Sequence, residues 1–155
     1  MADNWRPGQP QFTLRYWNVP IELEFTHGGL GVIYRCEGKL NPDHFSNANS
    51  RLLELPERIP KLKYAIVDAS SMEPFYFPPS EMERIVQEDR QIASLAVPGL
   101  IVALVATQYA VLGLTRMWEA FVAGIDWNTR SFLSLTEAQT WVRLKVKERF
   151  DVDLS

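Results

Sequence analysis

The sequence predicts an α/β domain built on a single-layer mixed sheet of about five strands: an opening β-hairpin, then alternating helices and strands, with four helices in all. Three observations predict it. Ile21, Leu23 and Phe25 alternate with Glu22, Glu24 and Thr26, the period of two that belongs to a half-buried strand. From residue 41 onward, segments with apolar residues at helical spacing alternate with short apolar runs, the order that gives parallel strands joined by helical crossovers. Leu100 to Ala106 is apolar throughout, the mark of a strand covered on both faces.

Phe12 and Leu14 start a short extended piece. The strand at 21–26 is followed by His27-Gly28-Gly29, whose glycines supply the positive φ of a tight turn, and by a second strand from Leu30 to Glu37 with Val32, Tyr34 and Cys36 on one face. Asn41-Pro42 opens the first helix, since Asn caps and Pro suits the first helical position. Phe45, Ala48, Leu52 and Leu55 form its stripe, and Pro56 and Pro60 close it. Tyr64 to Val67 reads as a strand ending at Asp68, and Ala69 to Pro79 as loop. Ser80 is expected to cap the second helix, with Glu83 completing a capping box. That helix carries Met82, Ile85, Val86, Ala93 and Ala96 inward. Tyr109 to Gly124 is a third helix, apolar nearly all round, which places it deep in the protein or at an interface. Thr129 to Leu133 is the last strand, and Thr136 is expected to start a fourth helix bearing Ala138, Trp141 and Val142. Val142 to Lys147 alternates like a strand, but the helix formers Glu137-Ala138-Gln139 before it favour helix.

The chain has 155 residues, 46% hydrophobic and 23% charged, with a net charge of −3. Length and composition fit one globular domain over 11–155 preceded by a flexible arm at 1–10, and exclude a disordered chain. The acidic balance argues against a nucleic-acid partner. The lone Cys36 excludes an intrachain disulfide and a Cys-rich metal site. The first residues lack the apolar core of a secretory signal, and the run from Leu95 to Ala106 is broken by Pro98-Gly99 and too short to be a transmembrane segment. A cytoplasmic location is the resulting expectation.

Phe132 at a strand end, followed by Leu135-Thr136-Glu137-Ala138-Gln139-Thr140-Trp141-Val142, resembles the closing pattern of the SpoIIAA-like family of small domains with a STAS-type fold. Val105-Ala106-Thr107 leading through Gly113-Leu114 to Met117 and Phe121 is similar to that family's third helix, and Gly38-Lys39-Leu40 to its turn before the first helix. The resemblance spans about residues 20 to 145 and implies the fold more than an activity. Anti-sigma-factor antagonists of this type carry a phosphorylatable serine in an Asp-Ser-Ser-Gly-like turn where the second helix starts. Here that place reads Phe77-Pro78-Pro79-Ser80-Glu81, so Ser80 alone matches as a candidate phosphosite.

No catalytic constellation stands out. Gly28-Gly29-Leu30-Gly31 links strands and opens no helix, and His27 and His44 lack partners at metal-ligand spacing. Neither a metal nor a cofactor is implied. Asp68 falls at the carboxyl end of a strand, where open α/β sheets place ligands, with Ser70, Ser71 and Thr107 expected at the same edge. The simpler role for Asp68 is to accept loop amides; a hydrolase built on Asp68 with Ser70 or Ser71 would lack an oriented base. Asp89 interrupts the apolar stripe of the second helix. The stripe is expected to reach solvent there; a buried carboxylate would be desolvated and its pKa pushed up. The most unusual stretch is Met72 to Pro79, which sets Phe75, Tyr76 and Phe77 between prolines. These rings close the end of the core, roof an apolar pocket, or form an interface patch, and at least one should face outward. The leading expectation is a non-catalytic binding module that engages a protein partner or itself, as a homodimer, through that loop or through the third helix from Tyr109. The alternative is a carrier of an apolar small molecule or lipid in a pocket under Phe75–Phe77.

Overall fold

The computed structural model describes residues 12–14 and 19–155. The expected arm at 1–10 lies outside them. The chain runs β1 (Phe12–Leu14), β2 (Ile21–Thr26), β3 (Gly31–Gly38), α1 (Pro42–Leu53), β4 (Tyr64–Met72), α2 (Pro79–Leu95), β5 (Leu100–Val105), α3 (Tyr109–Phe121), β6 (Trp127–Phe132) and α4 (Leu135–Phe150). The five expected strands form one mixed sheet, and β1 joins its edge as a sixth, in the order β1-β2-β3-β4-β5-β6. β1, β2 and β3 pair antiparallel; β3 to β6 pair parallel.

Each parallel crossover steps to the next strand in the same direction. Because such crossovers are right-handed, α1, α2 and α3 all fall on one face. That face packs Leu23, Phe25, Val32 and Val102 against Ala48 and Leu52 of α1, Ile92 of α2 and Val111 of α3. α4 covers the other face, where Ile33, Ile66, Ile101 and Ala103 meet Ala138, Trp141, Val142 and Val146. The alternation at 142–147 is thus helix, with Val142 and Val146 one turn apart on the buried side. β5 lies between both layers and is buried along its whole length.

The turn after β2 holds His27 at φ 52, Gly28 at φ 64 and Gly29 at φ 96. Gly31 answers a different demand: the Tyr64 ring lies against it, and a Cβ there would sit 1.9 Å from the ring. Tyr64 in turn bonds Thr26 and, at 2.8 Å, Nδ1 of His27, whose Nε2 bonds the Leu154 carbonyl at 2.8 Å. Burial holds the His27 pKa below its ordinary value.

Three expectations need correction. β4 continues past Asp68 to Met72, because Glu37 and Gly38 of β3 keep pairing with it across a register shift after Arg35, so the loop shrinks to residues 73–78. α2 starts at Pro79, not Ser80, and Ser80 makes no capping bond. The prolines explain this. Pro79 has its φ preset for the first helical position, and it forces Pro78 before it into extended backbone (φ −61, ψ 142), the conformation of a cap residue. α4 starts at Leu135, with Ser134 rather than Thr136 as its cap; the Ser134 side chain accepts from the Glu137 amide at 3.1 Å. Of α3, expected deep in the protein or at an interface, Val111, Leu112 and Thr115 are buried.

Asn41 does cap α1 as expected, its side chain accepting from the His44 amide while His44 Nδ1 accepts from the Asn41 amide. Since Ser80 holds no such bond and is exposed, Ser80→Ala should change unfolding free energy by less than about 0.5 kcal/mol. Urea denaturation checks this; a loss of about 1 kcal/mol would mean that it caps after all.

Candidate functional site

Between the sheet and the layer formed by α1, α2 and α3 lies a cavity of about 110 Å³. Its floor is the central strand β4. Ala65 and Val67 on that strand stay only half-buried, while Tyr64 and Ile66 on the opposite face are fully enclosed. The floor therefore faces a void rather than a helix. Phe45 of α1 and Phe75 and Phe77 of the loop close one end, with ring centroids 5.4–6.4 Å apart, the range of favourable aromatic packing. Tyr76 between them points the other way and is 79% exposed, as alternate residues of an extended segment must.

The wall carries one polar cluster. Asp89 of α2 is only 5% exposed. Its carboxyl accepts from Asn49 Nδ2 of α1 at 3.2 Å and from Trp118 Nε1 of α3 at 2.8 Å, and Tyr34 Oη of β3 donates to Asn49 Oδ1 at 2.9 Å. The stripe of α2 thus does not reach solvent at Asp89, as expected from the helix alone, but runs on through it to Ile92. Burial pushes the Asp89 pKa up from 3.8 to about 7; the bonds from Trp118 and Asn49 oppose the rise and the charge of Glu88 adds to it. Burial likewise lifts the Tyr34 hydroxyl and the Cys36 thiol well above their ordinary ranges, which keeps both protonated.

The carboxyl edge of the sheet holds a separate group. Asp68 is 8% exposed and accepts from the Ser70 amide at 3.1 Å and the Ser70 hydroxyl at 2.6 Å. Arg35 Nη1 reaches its other oxygen at 3.4 Å, while Arg35 Nε and Nη2 reach Glu24 Oε1 at 2.5 Å. Asp68 is thus engaged by its own turn and by an arginine. Thr107 donates to the Ser70 carbonyl at 3.1 Å, tying the ends of β4 and β5 together. Ser71 is exposed on the strand. His27 sits at the start of β3 and β4, the opposite edge from Asp68 and the serines, and does not face them.

Of the residues singled out in the sequence, the structure brings Phe75 and Phe77 to the cavity and leaves Tyr76 and Tyr109 outside, each 79% exposed. Ser80 stands exposed in the first turn of α2, where a phosphate would meet the positive end of the helix. Tyr34, Asn49, Trp118 and Trp127 belong to the site without having been expected there. A signal for one of them was present: Asn49, like the Asp89 that the sequence did single out, is a polar residue within an otherwise apolar helical stripe. Among the described residues no three His, Cys, Asp or Glu side chains come close enough to hold a metal ion, and no helix is long and apolar enough to cross a membrane.

No protein-family model matches the chain, and no curated protein matches it. Among solved structures the chain is similar to an uncharacterized protein of the DUF3478 family from Shewanella loihica PV-4, described as having a SpoIIAA-like fold. The two are 16% identical over 79% of this chain and 91% of that one, with a TM-score of 0.48.

Proposed function

We propose that this protein is a non-catalytic binding module that takes a small, mainly apolar molecule into the cavity between the sheet and helices α1, α2 and α3. The observation that carries this reading is the cavity itself, about 110 Å³ under a lid of three packed phenylalanines. Protein interiors seldom leave such a void, because its lining forfeits dispersion contacts. An engineered apolar cavity of about 150 Å³ takes benzene, so this one suits a ligand on the scale of a single ring rather than a whole lipid.

Native mass spectrometry of protein purified from its host should show a retained small mass. Val67→Phe, which fills the floor, should abolish that retention while keeping stability or raising it by about 0.5–2 kcal/mol. A wild type that carries no extra mass, and whose melting temperature no small apolar compound raises, would refute the reading.

A second reading, engagement of a protein partner or a second copy, is favoured by the two outward tyrosines. Tyr76 and Tyr109 both follow strands that end at the carboxyl edge of the sheet, and Tyr109 borders a surface groove of about 410 Å³ with Leu112, Phe132 and Leu133. Tyr76→Ser should leave stability within about 0.5 kcal/mol and weaken association. Sedimentation that shows only monomer at roughly tens of micromolar would count against the homodimer.

A further inference from the structure

We infer that the cavity selects a ligand carrying one hydrogen-bond donor, a ring alcohol or similar, and that Asp89 is the residue that recognises it. This rests on the cavity being a binding site, and it adds the chemistry of what enters.

The lining is otherwise almost wholly apolar, with residues such as Val32, Leu62 and Met82. A carboxyl in such a wall is costly unless it is paired. Among the described residues Asp89 forms no ion pair with a cation. From α1 it meets the amide of Asn49, from α3 the indole N–H of Trp118, from β3 the hydroxyl of Tyr34 through Asn49, and on its own helix the like charge of Glu88. Glu88 is itself occupied by Ser46 and by Asn49 at 3.3 Å. Each Asp89 oxygen thus takes one neutral donor, whereas a carboxylate offers about four acceptor positions. Acceptor capacity is left over, and Asp89 lies in the cavity lining.

A residue needed only to hold three helices together would do so at less cost as a neutral amide, since an unpaired buried charge is strongly penalised. A second feature of the same lining agrees. Trp127, whose ring lies 6.1 Å from that of Trp118, has an enclosed indole nitrogen without a hydrogen-bond partner among the described residues. A wholly apolar ligand would leave both groups as they are. A ligand with a hydroxyl gives Asp89 a third donor, and a hydroxyl can also accept.

Phenol and toluene are matched in size and differ in that hydroxyl, so they are the probes. Binding of each is measured by calorimetry at pH 8 to the full chain and to Asp89→Leu. The wild type should bind phenol, and the ratio of phenol to toluene affinity should fall about tenfold or more in Asp89→Leu, the discrimination expected when a charge-assisted hydrogen bond is lost. The ¹³C resonance of the Asp89 carboxyl in the unmutated protein gives a reading that does not depend on the variant folding. Phenol should move its titration midpoint to lower pH, and toluene should not. If toluene binds while phenol neither binds better to the wild type than to the variant nor shifts that resonance, the cavity reading stands and the role of Asp89 is overturned. If neither compound binds the wild type, the cavity reading falls and this inference with it.

Discussion

Replacing Arg35 by alanine should remove about 3–5 kcal/mol of stability, a large share of the roughly 5–15 kcal/mol that holds a domain of this size. The expectation follows from what the guanidinium leaves behind. Arg35 of β3 lies opposite Asp68 of β4 and diagonal to Glu24 of β2, all three on the face of the sheet that α4 covers. The Glu24 side chain is 2% exposed, that of Asp68 10% and that of Arg35 18%. Without Arg35, Glu24 would be a carboxylate in an enclosed sheet that has lost both of its arginine bonds. Most of the loss belongs to Glu24, whose oxygen takes two arginine nitrogens at 2.5 Å, since the contact to Asp68 is long at 3.4 Å. The double variant Glu24→Gln with Arg35→Met should recover much of the stability, because it removes the stranded charge together with its partner. Urea denaturation of both variants measures this. A loss below about 1 kcal/mol for Arg35→Ala would mean that Glu24 behaves as a surface ion.

The second large effect is on pH. In the folded protein Asp89 titrates near 7, against 3.8 ordinarily. Between those values the folded state holds a proton that the unfolded state has released. Its contribution to stability is therefore complete below about pH 4 and is lost as pH rises through 7. A shift of about three units sets a ceiling of about 4 kcal/mol on the change. His27 acts in the opposite sense. Its pKa is lowered by burial, so it favours the folded state above its unfolded value of 6.5 and disfavours it as pH falls. The comparison of wild type with Asp89→Asn cancels His27 and isolates the carboxyl. From pH 5 to pH 8 the variant should gain stability relative to the wild type, by an amount on the order of a few kcal/mol. A difference that stays constant across that range would show that Asp89 titrates as an ordinary carboxyl.

Local pattern carried much of the architecture into the sequence. The alternation at 21–26, the apolar run at 100–106 and the helical stripes at 42–53 and 79–95 depend on which side of an element is buried, and each element writes that choice into its own residues. The α1 cap at Asn41 was legible for the same reason, since cap and partner lie three residues apart. The caps of α2 and α4 lie two residues before the expected Ser80 and Thr136: at α2 the Pro78-Pro79 backbone sets the start without any capping side chain, and at α4 Ser134 and Thr136 both offer a hydroxyl and only backbone geometry chooses between them.

The site is different. Whether Asp89 reached water could not be read from α2, because the residues that enclose it lie on α1, forty positions earlier, and on α3, twenty-nine positions later. The same holds for the three phenylalanines, of which Phe45 comes from a helix that the loop meets only in the folded chain. The sequence by itself determined the elements, the faces they bury and an aromatic loop of unusual composition. Tertiary structure alone decided that two of those rings close over a void and that a carboxyl stands in its wall, because burial and cavities arise where separate elements pack, and no single segment contains that information.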